Sequence, residues 1–183
     1  MGVNRRQFLQ WGAATGLLGS SLAAHSSTLI TPVDGARDLR MLNLHTGERI
    51  NVTYWEKGEY LVDGLAEIYL LMRDHRQNLI APIDVRVLDQ LHQVNQLVGN
   101  QKEVYLISGY RSPKTNEMLR GKSNNVAKRS LHMKGQAIDF RIPNMNLRHV
   151  HKAALASTHG GVGYYSRSGY LHLDVGRKRN WAV

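Results

Sequence analysis

The spacing of apolar positions changes several times along the chain, and each change predicts an element. Residues 39–44 and 49–55 flank His45-Thr46-Gly47-Glu48. Ile50, Val52 and Tyr54 alternate, which predicts a hairpin with Gly47 in its turn. Over 60–76 the apolar residues Leu61, Leu65, Ile68, Leu71 and Met72 fall at helical spacing. A second helix is predicted from an Asp84 cap to Gly99, with Val85, Leu88, Leu91, Val94 and Leu97 or Val98 on one face. Residues 103–108 read as a short strand, and Pro113 opens a short helix through Arg120. The polar, basic stretch 121–129 reads as a loop and 136–142 as a strand. Asn146 caps a helix to Thr158, Gly160-Gly161 breaks it, and strands follow at 162–165 and 170–175. No repeat or linker interrupts the series. It predicts one α+β domain, a small antiparallel sheet packed on helices to one side.

Two of these strands carry chemistry on one face. Ile138, Phe140 and Ile142 share a face, and Asp139 takes the other. Leu171, Leu173 and Val175 share a face, opposite Tyr170, His172 and Asp174. If the strands are neighbours, Asp139 and His172 project to the same side, and His132 on the preceding loop completes a cluster. Two imidazoles and a carboxylate are zinc donors, and three protein ligands leave a position open for chemistry. Spacing alone leaves a second reading open, a surface histidine with Asp139 paired to Arg141 or Lys134.

Composition narrows the setting. A chain of 183 residues, 42% apolar and 21% charged, can bury a core without staples. It has no cysteine, which excludes thiolate metal sites and thiol nucleophiles and is compatible with an oxidising compartment. Near the start, Arg5-Arg6-Gln7-Phe8-Leu9 precedes a mild apolar run over 11–24 and a small-residue zone. This pattern resembles a twin-arginine export signal. Residues 1–27 are therefore read as the signal and 28–183 as the functional domain. The apolar run is too short for a bilayer, so no stable membrane span is expected once the signal is removed. Without residues 1–27 the chain keeps 22 basic against 14 acidic side chains, about +8. That balance favours anionic partners. A periplasmic address and the lack of a recognition motif argue against nucleic acid and leave an anionic envelope polymer, a membrane surface, or solvated charge.

The sequence Ser130-Leu131-His132-Met133-Lys134-Gly135-Gln136-Ala137-Ile138-Asp139 fits S-x-H-x-x-G-x-A-x-D at every fixed position. In this it resembles the zinc peptidases that include D-Ala-D-Ala carboxypeptidases, phage endolysins and the hedgehog domain. The segments NLHTGE, LISGYRS, GVGYY and a closing H-x-D-x-G extend the likeness over about 38–181, closest to the murein endopeptidase K subgroup. The resemblance implies zinc held by His132, Asp139 and His172, and water attacking a peptide carbonyl polarised by the metal. It also implies Arg111 as the group that stabilises developing negative charge or holds a substrate carboxylate. The implied substrate is peptidoglycan, cut at diaminopimelate–diaminopimelate (3–3) cross-links or D-Ala–diaminopimelate bonds.

The chain departs from the family before its last ligand. Relatives carry Glu or Asp there, some H-x-H; here no acid lies between Asp139 and His172, and Tyr170 replaces the first histidine. Asp174 is then a candidate general base, a group orienting His172, or a structural residue. Tyr170 and Ser130 are candidate substrate contacts, with sheet packing as the alternative for Tyr170. Lys122, Lys128 and Arg129 either meet substrate carboxylates or form a solvated loop. The departure keeps two other functions in view, a carboxypeptidase trimming stem peptides and a zinc-containing murein-binding module without catalysis.

Overall fold

The computed structural model describes residues 35–99, 102–123 and 126–183. The export signal predicted over 1–27 lies outside the described residues. The order of elements is β1 (Arg37–Asn43), β2 (Arg49–Glu56), β3 (Glu59–Tyr60), α1 (Val62–Leu71), α2 (Val85–Leu97), β4 (Val104–Ser108), α3 (Pro113–Arg120), a 3₁₀ turn (Leu131–Lys134), β5 (Ala137–Arg141), α4 (Leu147–Ser157), β6 (Gly161–Tyr165), β7 (Tyr170–Asp174) and β8 (Arg179–Ala182). The strands form one sheet in the order β3-β2-β1-β4-β5-β7-β6-β8.

This is the α+β architecture the periodicity predicts, with a larger sheet. It has eight strands, and two of its pairings, β1 with β4 and β6 with β8, are parallel. β3 and β8 are additions to the expected set. The first helix is shorter than the expected 60–76, because Tyr60 pairs with Trp55 in the sheet and the helix ends at Leu71. Beyond it the buried Asp74 carboxylate accepts the backbone N–H groups of Arg76, Gln77 and Ser112, which turns the chain instead of continuing the helix. Asp84 and Asn146 do cap their helices, accepting from the N–H groups of Arg86 and Arg148. Among the described residues no helix is long and apolar enough to cross a membrane.

One apolar core fills the space between helices and sheet. α2 packs on α4, β1 and β7, and α4 on β6 and β7. Ile138, Phe140, Leu171 and Leu173 are buried with Val87, Leu88, Leu91 and Val94 of α2 and with Val150 and Ala154 of α4. The alternate residues of β5 and β7 therefore face the other side of the sheet. That side holds the site.

Candidate metal centre

A single row of residues crosses five strands. The register pairs Ser108 with Asp139, Asp139 with His172, His172 with Gly163, and Gly163 with Trp181. Directly opposed residues on neighbouring strands place their side chains side by side. Pairing of β5 with β7 is what brings Asp139 and His172 together.

His132 arrives from the 3₁₀ turn. The chain leaving β4 is held at four successive residues. Gly109 O accepts from His132 Nδ1 at 2.8 Å, and Tyr110 N–H donates to Met72 O at 2.7 Å. Arg111 N–H donates to His132 O at 3.1 Å, and Ser112 N–H to Asp74 at 2.9 Å. The turn then ends on Gly135, whose φ is +64°, and a Cβ there would run into the Pro82 carbonyl oxygen. The glycine of the motif thus meets two demands at once, a left-handed backbone and a close approach. Gly135→Ala is expected to destabilise the protein by more than about 2 kcal/mol, since αL strain costs on the order of 1–3 kcal/mol before any clash is counted. A thermal or urea unfolding curve matching that of the unaltered protein would contradict this.

The three predicted ligands converge. His132 Nε2 and His172 Nδ1 are 3.2 Å apart, His172 Nδ1 and Asp139 Oδ1 2.8 Å, and His132 Nε2 and Asp139 Oδ1 3.2 Å. Ligands about 2.0–2.1 Å from a tetrahedral ion stand about 3.3 Å from one another. These donors form one face of such a tetrahedron, slightly contracted. His132 is 2% and Asp139 6% exposed, so three electron-pair donors meet in a nearly dry place, which a cation relieves. Each imidazole also has its remote nitrogen engaged. His132 Nδ1–H donates to Gly109 O, and His172 Nε2–H donates to Asp174 Oδ2 at 3.0 Å. Such contacts set the tautomer that leaves the inner nitrogen free for a metal.

Without an ion, the charges balance internally. Burial works against Asp139 ionising, but His132 and His172 overrule it and hold its carboxyl well below the usual range. Burial alone lowers His172; its hydrogen bonds to Asp139 and Asp174 win, and its pKa is pushed up to about 9. Burial keeps His132 neutral by lowering its pKa.

Arg111 lies 3.6 Å from Asp139 Oδ2 and is 9% exposed. Its other contacts are long, 3.3 Å to Ser108 Oγ and 3.4 Å to Asn116 Oδ1, and its Nε has no partner. A buried guanidinium so loosely engaged keeps hydrogen-bonding capacity for an incoming anion. It lines a cavity of ≈ 150 Å³ with the three ligands, Arg129, Ser130, Tyr165, Tyr170 and Trp181. Lys122 and Lys128 do not line it. Tyr170 stacks on Tyr165 with ring centroids 4.5 Å apart. Burial and the nearby Asp139 charge raise its pKa, so its phenol stays protonated.

Asp174, one of whose candidate roles was general base, is placed behind His172. It is fully buried and accepts hydrogen bonds from His172, Gly161 N–H, Gly176 N–H and both terminal nitrogens of Arg179. Sequence reasoning missed Trp181 and Arg179. Four residues with one large apolar side chain gave no periodic signal for them.

A buried His-Asp-His centre on a sheet, open to a cleft and faced by an arginine, defines a metallopeptidase. The chain belongs to the family described as Peptidoglycan L,D-endopeptidase MepK, whose model matches residues 31–181. It is 44% identical over 181 residues to the Peptidoglycan L,D-endopeptidase MepK of Escherichia coli (strain K12), covering 98% of this chain and 97% of the relative. It has the same identity and coverage with the protein of that name in Shigella flexneri. The Probable peptidoglycan L,D-endopeptidase MepK of Haemophilus influenzae is 35% identical over 179 residues, 97% of this chain and 95% of the relative. No solved structure matches the chain significantly.

Proposed function

We propose that the protein is a periplasmic zinc endopeptidase that hydrolyses peptide cross-links of peptidoglycan, the diaminopimelate–diaminopimelate (3–3) bridge first among them. The observation that carries the reading is the convergence of His132, Asp139 and His172 within 3.2 Å of one another beside an under-engaged buried arginine. Full-length likeness to proteins named as peptidoglycan L,D-endopeptidases supports the substrate. Without residues 1–27, 22 basic against 14 acidic side chains suit a polymer whose stems carry carboxylates.

His132 Nε2, Asp139 Oδ1 and His172 Nδ1 would hold the ion. When bound, zinc supplies a Lewis acid that polarises the scissile carbonyl and lowers the pKa of water. Arg111 faces the same space and stabilises negative charge developing on the carbonyl oxygen. Tyr170, kept protonated, donates a hydrogen bond to substrate and does not act as a base. Asp174 orients His172; with every oxygen occupied and no exposure, it does not exchange protons with substrate. Ser130 and Arg129 form the wall along which a stem peptide runs.

The test is a digest of purified 3–3 and 4–3 cross-linked muropeptide dimers read by mass spectrometry, with chelator and with zinc restored. The 3–3 dimer is expected to yield monomers only when zinc is present. Intact dimers under every condition, with zinc bound stoichiometrically, would sink the endopeptidase reading.

A further inference from the structure

The edge strand β8 is joined to the metal centre through a gap in β6. β6 reads Gly161-Val162-Gly163, and both glycines sit on the site face, where Gly161 is opposite Arg179 and Gly163 opposite Trp181. A Cβ on Gly161 would come 2.5 Å from Arg179 Nη1 and would also strike Asp174 Oδ2. A Cβ on Gly163 would come 2.6 Å from the Trp181 ring. With no side chains in the way, two residues of β8 reach across β6 to β7. Arg179 places Nη2 at 2.6 Å from Asp174 Oδ2 and Nη1 at 3.0 Å from Oδ1, a two-pronged bond. Trp181 lies with its ring 5.3 Å from that of His172, and the Arg179 guanidinium sits 5.0 Å from the Trp181 centroid.

We infer that Arg179 is a positioning residue for the metal, acting through Asp174 on His172 across the gap left by Gly161. Asp174 Oδ2 is shared between Arg179 and the Nε2–H of His172, so the arginine fixes the plane of the carboxylate that fixes the imidazole. Outer partners of metal-binding histidines govern affinity by about 10- to 100-fold. The alternative, that Arg179 merely fastens β8 to the sheet, predicts a stability change with metal affinity unaltered.

The inference rests on the proposed metal site, and its test reads metal directly. Zinc affinity would be measured by chelator competition on the full folded chain, for the unaltered protein, Arg179→Gln and Arg179→Lys. Arg179→Gln is expected to weaken zinc at least about tenfold. Arg179→Lys keeps the charge without the fork, and its affinity is expected between the two. Nitrogen-15 spectra of the zinc-loaded protein should show one His172 tautomer, protonated at Nε2, and exchange-broadened ring signals in Arg179→Gln. Folded Arg179→Gln with unaltered zinc affinity would overturn the inference. Should that variant fail to fold, Arg179→Lys decides, and affinity equal to the unaltered protein overturns it. An unaltered protein that binds no zinc would sink the functional reading and the inference together.

Discussion

Asp139→Asn is expected to give a folded protein that has lost its metal and at least about 1,000-fold of its hydrolytic rate. The metal supplies several kcal/mol of charge stabilisation, and each 1.4 kcal/mol or so is tenfold in rate. Asp139 is the one anionic donor of the three, and its Oδ1 stands within 3.2 Å of both imidazoles. Asparagine has the same shape and can still meet His172, so the sheet is spared, but its neutral oxygen is a poor ligand. The pH behaviour of the ion-free protein should change as well. Asp139 is held below its ordinary value and His172 is raised to about 9. Their mutual attraction therefore stabilises the fold in full above the usual carboxylate range and below the ordinary histidine value. It fades as pH rises through about 9 or falls into the strongly acid range. Zinc must displace the His172 proton, so its binding should tighten with rising pH up to about 9. In Asp139→Asn the histidine loses this anionic partner, so the alkaline loss of stability in the ion-free protein moves to lower pH. Elemental analysis of zinc together with muropeptide turnover checks the main claim, and a variant retaining both would refute it.

The parts of this site that could be read in the chain are those in which a local pattern implies a direction. Alternation in 138–142 and 171–175 separates the core face from Asp139 and His172, because a strand has only two faces. Caps at Asp84 and Asn146 are read from residue type for a similar reason, since the carboxylate or amide meets N–H groups two residues on. The remainder depends on neighbours that are distant in sequence. β8 carries one large apolar residue, Trp181, in a basic stretch, and it becomes a strand because β6 offers it a parallel edge. β3 has two residues, too few to show a period. α1 keeps its predicted apolar face, yet stops early because Asp74 is needed to hold Ser112, 38 residues away. The function of Gly161 and Gly163 follows the same logic. In sequence Gly161 looks like a helix breaker and Gly163 lies inside a predicted strand, and only the sheet order shows that their missing side chains admit Arg179 and Trp181. Asp174 was ambiguous for that reason too, because its arginine lies on a strand that periodicity did not predict.

Arg111→Lys is expected to retain stoichiometric zinc while kcat falls by about 100- to 1,000-fold, the loss seen when one oxyanion partner is removed. The metal should stay because Arg111 touches the ligand set only at 3.6 Å, through an Asp139 oxygen that neither histidine uses. The chemistry should suffer because the guanidinium presents several N–H donors in one plane, and its long contacts to Ser108 and Asn116 leave them free for the oxyanion. A lysine ammonium is a point charge on a flexible stem and cannot keep two donors aimed at one oxygen. The kinetic split separates the two roles open to this arginine. If it stabilises charge that develops only during reaction, kcat and kcat/KM fall together with KM little changed. If it holds a substrate carboxylate from the start, KM rises and kcat is spared. The geometry favours the first, since Arg111 lies at the ligand face, against Asp139 and beside His132, and not out on the cleft wall where Arg129 stands. Turnover of a cross-linked dimer over a range of concentrations, with zinc content measured on the same sample, gives the answer. A raised KM at unaltered kcat would move Arg111 from the reacting carbonyl to the recognition of the stem.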